Sequence, residues 1–235
     1  MARDCTVIFI AGIDTGIGKT VACGMLARAL LDRGRSVITQ KLVQTGCRGL
    51  SSDIRAHRRA MGVALTPEDR SGLTCPYVFR FPASPHLAAA REGARISLSR
   101  ISSATRRLAR LYDHVLVEGV GGIEVPLRDG VTTLDYLARH RYPVILVSSS
   151  RLGSINHTLL TLRALHGRGL RVLGIIYNRR PRDNGTMARD TRRVLAVALR
   201  RLGYPGVVVD LPRAGGTAGA GRAFASRCTR LFGAQ

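Results

Sequence analysis

Along this chain, short runs of β-branched and aliphatic residues alternate with longer stretches in which apolar residues recur every three or four positions. The runs are VIFIAG (7–12), SVIT (36–39), HVLVEG (114–119), PVILVS (143–148), RVLGIIYN (171–178) and GVVVDLP (206–212). Within each, apolar residues are continuous and not alternating, the pattern of a strand covered on both faces. Helical patterns fill the gaps at 19–33, 98–111, 134–139, 155–168 and 187–202, and Gly34, Gly169 and Gly203 stand where those helices would end. Strand–helix–strand repetition predicts an α/β chain with one doubly wound, mostly parallel sheet, helices on both faces, in a single domain over 1–235. The stretch 46–85 is less regular and is expected to form loops and short helices over the sheet. The Gly- and Ala-rich segment 213–235 reads as a tail with partial mobility.

Composition narrows the picture. A chain of 235 residues can bury roughly 70% of its unfolded surface, so a core needs no metal or disulfide. Aromatic residues are only 5% and Trp is absent, which leaves Val, Leu, Ile and Ala to build that core. Cys5, Cys23, Cys47, Cys75 and Cys228 are odd in number, widely spaced and form no C-x-x-C, so neither a zinc site nor a disulfide framework is suggested. A reduced, cytoplasmic setting fits. The apolar run 7–10 is too short for a signal-peptide core, and no run approaches the roughly 18 residues of a membrane span. Lys and Arg total 37 against 15 acidic residues, a formal charge of +22. Such a balance suits an anionic partner such as nucleic acid or phospholipid. The arginines are spread along the whole chain and form no stripe, which favours solvated helix faces over a specific nucleic-acid or membrane surface.

Ligands of open α/β sheets lie beyond the carboxyl ends of the strands, so the turns after those runs are where chemistry is sought. The first strand leads into IDTGIGKT (13–20) and then a helix. Gly16 and Gly18 let backbone N–H groups, with those of Ile17 and Val21, fold around phosphate oxygens. Lys19 supplies a point charge and Thr20 a hydroxyl for magnesium. The strict G-x-x-x-x-G-K-[ST] spacing wants Gly at 13, where Ile stands; Gly12 lies one residue early. The second strand runs into QKLVQTG (40–46), with Lys41 at its exit. Alone, such a Lys is more often a solvated charge; beside a phosphate loop it adds a second cation for a transferring phosphoryl group. VEGVGG (117–122) brings the carboxylate of Glu118 to a strand end, and its three glycines allow close backbone approach to a ligand, with Gly119, Val120 and Gly121 as nucleotide-binding candidates. Asp53 is a further, weaker carboxylate for the metal. Ser154, Ile155 and Asn156 open a helix after another strand, where free N–H groups cap the helix or hold a carboxylate. His157 beside them reads as a packed or exposed histidine. Asn178 ends the strand at 171–178, where its amide suits an adenine edge.

Together these pieces resemble dethiobiotin synthase across 7–212. The family's GTDTEVGKT is matched by GIDTGIGKT (12–20), displaced Gly included, and KPVxTG by KLVQTG (41–46). SPHLAA stands unchanged at 84–89, VEGVGGIEVPL (117–127) matches VEGAGG-VPL, and LGSINHTLLT (152–161) matches LGxINHTLLT. The resemblance implies an ATP-dependent ligase that closes the ureido ring of dethiobiotin from 7,8-diaminononanoate and CO2, in biotin biosynthesis. One amine becomes a carbamate, its oxygen takes the γ-phosphoryl group, and the second amine displaces phosphate. By resemblance Lys41 and Lys19 are catalytic, and Thr20, Asp53 and Glu118 hold magnesium. Thr15, Thr45 and Ser84 then lie by the diamine or carbamate. Asn178, Leu211 and Pro212 lie by the adenine, and 154–156 receive the substrate carboxylate from the second subunit of a homodimer. Gly16 replaces a Glu common in the family, Leu42 a Pro and Arg179 an Asp. Two other readings share the fold. Cobyrinate-type amide synthases carry a further glutaminase domain, for which 235 residues leave no room. A ParA-like DNA-partitioning ATPase would use the +22 charge on DNA, but its signature Lys early in the loop is missing from 12–17.

Overall fold

The computed structural model describes residues 5–179, 185–212 and 218–232. In chain order the elements are β1 (Thr6–Gly12), α1 (Lys19–Leu31), β2 (Val37–Lys41), α2 (Ser52–Met61), α3 (Pro67–Arg70), α4 (Pro85–Arg91) and α5 (Leu98–Ala109). Then come β3 (His114–Glu118), β4 (Pro126–Arg128), β5 (Val131–Thr132), α6 (Thr133–His140), β6 (Val144–Ser149), α7 (Ser154–Gly167), β7 (Val172–Asn178), α8 (Gly185–Arg201), β8 (Val208–Asp210) and α9 (Ala218–Phe232). All six expected runs are strands of one sheet in the order β2-β3-β1-β6-β7-β8, and every pairing in it is parallel. Helices cover both faces, and for that reason β2, β3 and β6 are buried at every residue.

Strand order reverses at β1, with β3 and β2 on one side and β6, β7 and β8 on the other. The turn after β1 therefore opens at the switch point, where the flanking crossovers diverge. Register fixes what meets there. On β3, Glu118 is the partner of Ile10 on β1 and of Lys41 on β2. Two ionisable residues thus end adjacent strands at the same height.

The expected helix ends hold. Gly34, Gly169 and Gly203 have φ of 72°, 61° and 76°, and each closes its helix by donating its N–H to a last-turn carbonyl. The irregular stretch 46–85 contains α2, which starts on a Ser51 side-chain cap to Ile54 and stops at Gly62 with φ 70°. The segment expected as a tail is corrected by α9. Phe224, Cys228 and Leu231 recur at helical spacing and are buried, and the helix packs on α1. Its glycines read as loop signals, but three apolar side chains on one face repay helix formation through tertiary contact. Residues 213–217 and 233–235 lie outside the described residues. No described helix is long and apolar enough to cross a membrane.

Candidate active site at the ends of three strands

The turn between β1 and α1 is shaped by two left-handed glycines, Gly16 with φ 69° and Gly18 with φ 100°. Both conformations are strained for any residue with a Cβ. Ile17, between them, is buried and pins the loop to the core. Lys19 folds back over the loop, and its Nζ donates to the Asp14 carbonyl at 2.6 Å. Burial, then the charge of Lys41, push the Lys19 ammonium down to about 8; Glu118, Asp14 and Asp53 act in the opposite direction. Asp14 also receives Arg151 at 2.6 Å, an ion pair tying the loop to the turn before α7.

Behind the loop lies a buried charge cluster. Lys41 Nζ donates to Glu118 Oε1 at 2.8 Å and to the Gly119 carbonyl at 3.1 Å, and Asp53 Oδ2 lies 2.7 Å away. Thr20 Oγ1 donates to the same Glu118 oxygen at 3.0 Å. Burial alone would lower Lys41 and raise Glu118. Each is overruled, Lys41 by the two carboxylates and Glu118 chiefly by Lys41, so Lys41 is held above the usual lysine value and Glu118 far below the usual carboxylate range.

These groups open on one cleft of about 750 Å³, walled by Lys19, Thr20, Lys41, Asp53 and Glu118 and also by Thr15, Gly16, Gly18, Val21, Thr45, Ser84, Val120 and Gly121. Ser84 occupies the N-cap position of α4, yet its hydroxyl makes no capping bond. Gly121 packs beside the phosphate loop, with the position of its absent Cβ 3.6 Å from Thr15 Oγ1. Asn178 sits at the far end of the loop. Its Nδ2 donates to the Ile17 carbonyl at 2.9 Å, and Leu211 approaches Gly18 from the same side. One amide hydrogen of Asn178 is thereby spent on the loop. Pro212 follows Leu211 at the end of the described segment.

Ser154, Ile155 and Asn156 do start a helix, but they do not line this cleft. The Ser154 hydroxyl turns inward to Ser149 Oγ at 2.9 Å, and its N–H donates to the Arg151 carbonyl. Leu42 is fully buried and does not line the cleft, so the residue after Lys41 continues the core.

One neighbour of Glu118 escaped sequence reasoning. His57, fully buried on α2, places Nε2 2.7 Å from Glu118 Oε2. The signal was available in the spacing. Asp53 and His57 are four apart on one helix and so share a face, and the first already pointed at the metal.

Lysine usage singles out the same place. Lys19 and Lys41 are the only lysines in the chain, every other cationic side chain of its class being arginine. A compact ammonium is retained only where the two sit together in the cleft; a planar guanidinium would not fit either position without displacing its partners.

The parallel sheet, the glycine loop opening α1 and the Lys–Thr pair that follows define a P-loop nucleotide-binding protein. A family model described as an AAA domain matches residues 6–211. The chain is 52% identical over 210 residues to the ATP-dependent dethiobiotin synthetase BioD of Chlorobaculum tepidum, spanning 89% of this chain and 88% of that one. With the ATP-dependent dethiobiotin synthetase BioD 2 of Pasteurella multocida it shares 51% over 189 residues, 80% and 89% of the two chains. It belongs to the dethiobiotin synthetase family. Among solved structures it resembles a ParA family ATPase from Chlorobium tepidum, with TM-score 0.53 and 14% identity over 97% of this chain and 92% of that one. It also resembles pNOB8 ParA bound to nonspecific DNA, with TM-score 0.55 and 14% identity over 94% and 84%. At that identity the likeness speaks to the fold alone, and the ParA-like reading yields to the closer sequence relatives.

Proposed function

We propose that this protein is an ATP-dependent ligase that closes the ureido ring of dethiobiotin from 7,8-diaminononanoate and CO2. The observation that carries the reading is the meeting of the chain's two lysines with Glu118 in one cleft. Phosphoryl transfer demands positioning and charge neutralisation more than a covalent nucleophile. Lys19, on the loop, reaches the outer phosphates of ATP, and Lys41, held by Glu118 and Asp53 in the same cleft, faces the acceptor. One amine of the diamine takes up CO2 as a carbamate. A carbamate oxygen attacks the γ-phosphorus and ADP departs. The second amine then attacks the carbonyl carbon, the ring closes and phosphate leaves. Both amines lose their protons along the way; the negative charge that builds on the carbamate and phosphoryl oxygens is met by Lys41 and Lys19.

The donor set suits magnesium: a Thr20 hydroxyl and the carboxylates of Asp53 and Glu118, all hard oxygens, converge on the same wall of the cleft. Bound there with ATP, the ion would neutralise charge on the β- and γ-phosphates. Thr45 and Ser84, whose hydroxyl makes no capping bond, line the same cleft and would hold the diamine end of the substrate. Asn178 and Leu211, beside Gly18, flank the position of the base. The carboxylate end is assigned to the first turn of α7 from a second copy of the chain, through Ile155 and Asn156 more than the inward-turned Ser154. Such a homodimer in the cytoplasm would carry out the reaction.

The test is product identity. Labelled bicarbonate, supplied with the diamine and MgATP, is expected to appear in the ring carbonyl of dethiobiotin by mass spectrometry. Label confined to bicarbonate after ATP is consumed would overturn the proposal.

A further inference from the structure

Glu118 has two carboxylate oxygens, and the structure gives them different tasks. Oε1 accepts from Lys41 and Thr20, at the cleft. Oε2 has one hydrogen-bond partner among the described residues, His57 Nε2 at 2.7 Å. The ring is fully buried and does not line the cleft. An ionised carboxylate can only accept, so the proton of this contact sits on Nε2. The other nitrogen, Nδ1, is buried with no hydrogen-bond partner among the described residues.

That arrangement is costly by itself, because an unsatisfied buried nitrogen forfeits its hydration. An apolar side chain would fill the space without that loss. The backbone is also built to bring the ring in. Where α1 and α2 cross, a Cβ on Gly24 would lie 2.7 Å from Ala60 Cβ and 3.3 Å from His57 Cα. With no side chain at 24, α2 lies close enough for the imidazole to reach the end of β3. Cys23, just before Gly24 on α1, lies against the same group, its thiol pushed well above the ordinary value by burial and therefore uncharged.

Building on the ligase reading above, we propose that His57 is a positioning residue that locks the Glu118 carboxylate. Its N–H fixes Oε2, so the carboxylate plane cannot turn and Oε1 stays in register with Lys41 and Thr20. His57 touches no reacting atom. It acts through Glu118, and its effect falls on the alignment of Lys41 and on the magnesium wall of the site.

The experiment compares His57→Leu with His57→Gln in the full chain, since a glutamine amide can donate to Oε2 and leucine cannot. His57→Leu is expected to lower kcat about 10- to 100-fold, the range seen when outer partners of metal-site ligands are removed. It should also raise the magnesium concentration needed for half-maximal rate while leaving KM for the diamine near wild type. His57→Gln is expected to recover most of that loss. Nitrogen-15 spectra of the wild-type protein should show His57 as the Nε2–H form with a slowly exchanging ring proton, a readout that needs no folded variant. Equal rates and equal magnesium dependence for His57→Leu and wild type would overturn the proposal, as would the Nδ1–H form in the spectra or a glutamine variant no better than leucine. Should wild type make no dethiobiotin, the ligase reading fails separately. The same two variants, compared by magnesium-dependent ADP affinity, then still decide the role of His57.

Discussion

The side chain of Lys19 lies directly across Gly12. A Cβ built at position 12 would stand 2.7 Å from Lys19 Cδ and 2.9 Å from its Nζ, inside any real contact distance. This explains why the loop keeps its first glycine one place earlier than the common spacing. That glycine serves as the floor on which the lysine rests at the end of β1, and Ile13 beyond it is free to pack in the core.

Gly12→Ala should therefore act on chemistry more than on folding. The atoms in the way belong to a flexible side chain, so Lys19 moves and the backbone need not. The expected result is a loss in kcat of about 10²-fold, the scale for removing one preorganised charge-stabilising group, with a melting temperature close to wild type. A Gly12→Ala protein of full activity would show that Lys19 does not work from this position.

Because the chain has only two lysines, amine-directed reagents report on the site almost alone. Lys19 is lowered to about 8 and Lys41 is raised. A lysine whose folded value is depressed becomes a neutral nucleophile once pH exceeds that value. Labelling of Lys19 by a small acylating reagent is expected to rise through pH 8, to be suppressed by MgATP, and to leave Lys41 unmodified, as read by peptide mass spectrometry. Preferential labelling of Lys41 would contradict the electrostatic picture of the cluster.

Lys41→Ala removes the cation between Glu118 and Asp53 and should abolish measurable turnover while ADP affinity falls only a few-fold. Lys41→Arg should fail as well. The guanidinium is broader and planar, and Nζ already fits between Glu118 Oε1, Asp53 Oδ2 and the Gly119 carbonyl at 2.7–3.1 Å. Substantial turnover by the arginine variant would argue that only charge matters at this position.

Away from the cleft, Arg58 and Asp69 form a buried bidentate pair at 2.8 Å, with Arg58 also donating to Thr39 and Asp69 accepting from Thr74. Burial acts to raise the Asp69 carboxyl, but the bonds from Arg58 and from the Thr66 backbone outweigh it and hold the group below its ordinary 3.8. A depressed carboxyl stabilises the fold fully above that ordinary value, and the contribution is lost as pH falls through the lower, folded value. Asp69→Asn should cost about 3–5 kcal/mol at neutral pH, since it leaves a buried charge unpaired. In denaturant titrations the gap from wild type should narrow only below about pH 4. A gap that stays constant down to pH 2 would contradict this assignment.

Much of this architecture was legible in the sequence because parallel strands buried on both faces leave unbroken apolar runs, and all six such runs joined the sheet. Lys41 and Glu118 were legible for the same reason, as polar residues at the ends of those runs. What escaped was set by contacts between elements. His57 lies on a helix whose sequence carries three arginines, and spacing does not disclose that Arg58 is buried with it while Arg55 and Arg59 are solvated. The helix at 218–232 is rich in Gly and Ala, and only its packing on α1 reveals Phe224, Cys228 and Leu231 as core. The inward turn of Ser154 depends on Ser149, a partner from the preceding strand that spacing alone does not disclose.

Everything chemical here depends on the two lysines sharing one triphosphate with the acceptor. The most direct measurement is phosphate release by the purified protein with MgATP and bicarbonate, with and without 7,8-diaminononanoate, and with added DNA. Release is expected to depend on the diamine, to match dethiobiotin formed one for one, and to ignore DNA. Hydrolysis that DNA stimulates and the diamine leaves unchanged would contradict it.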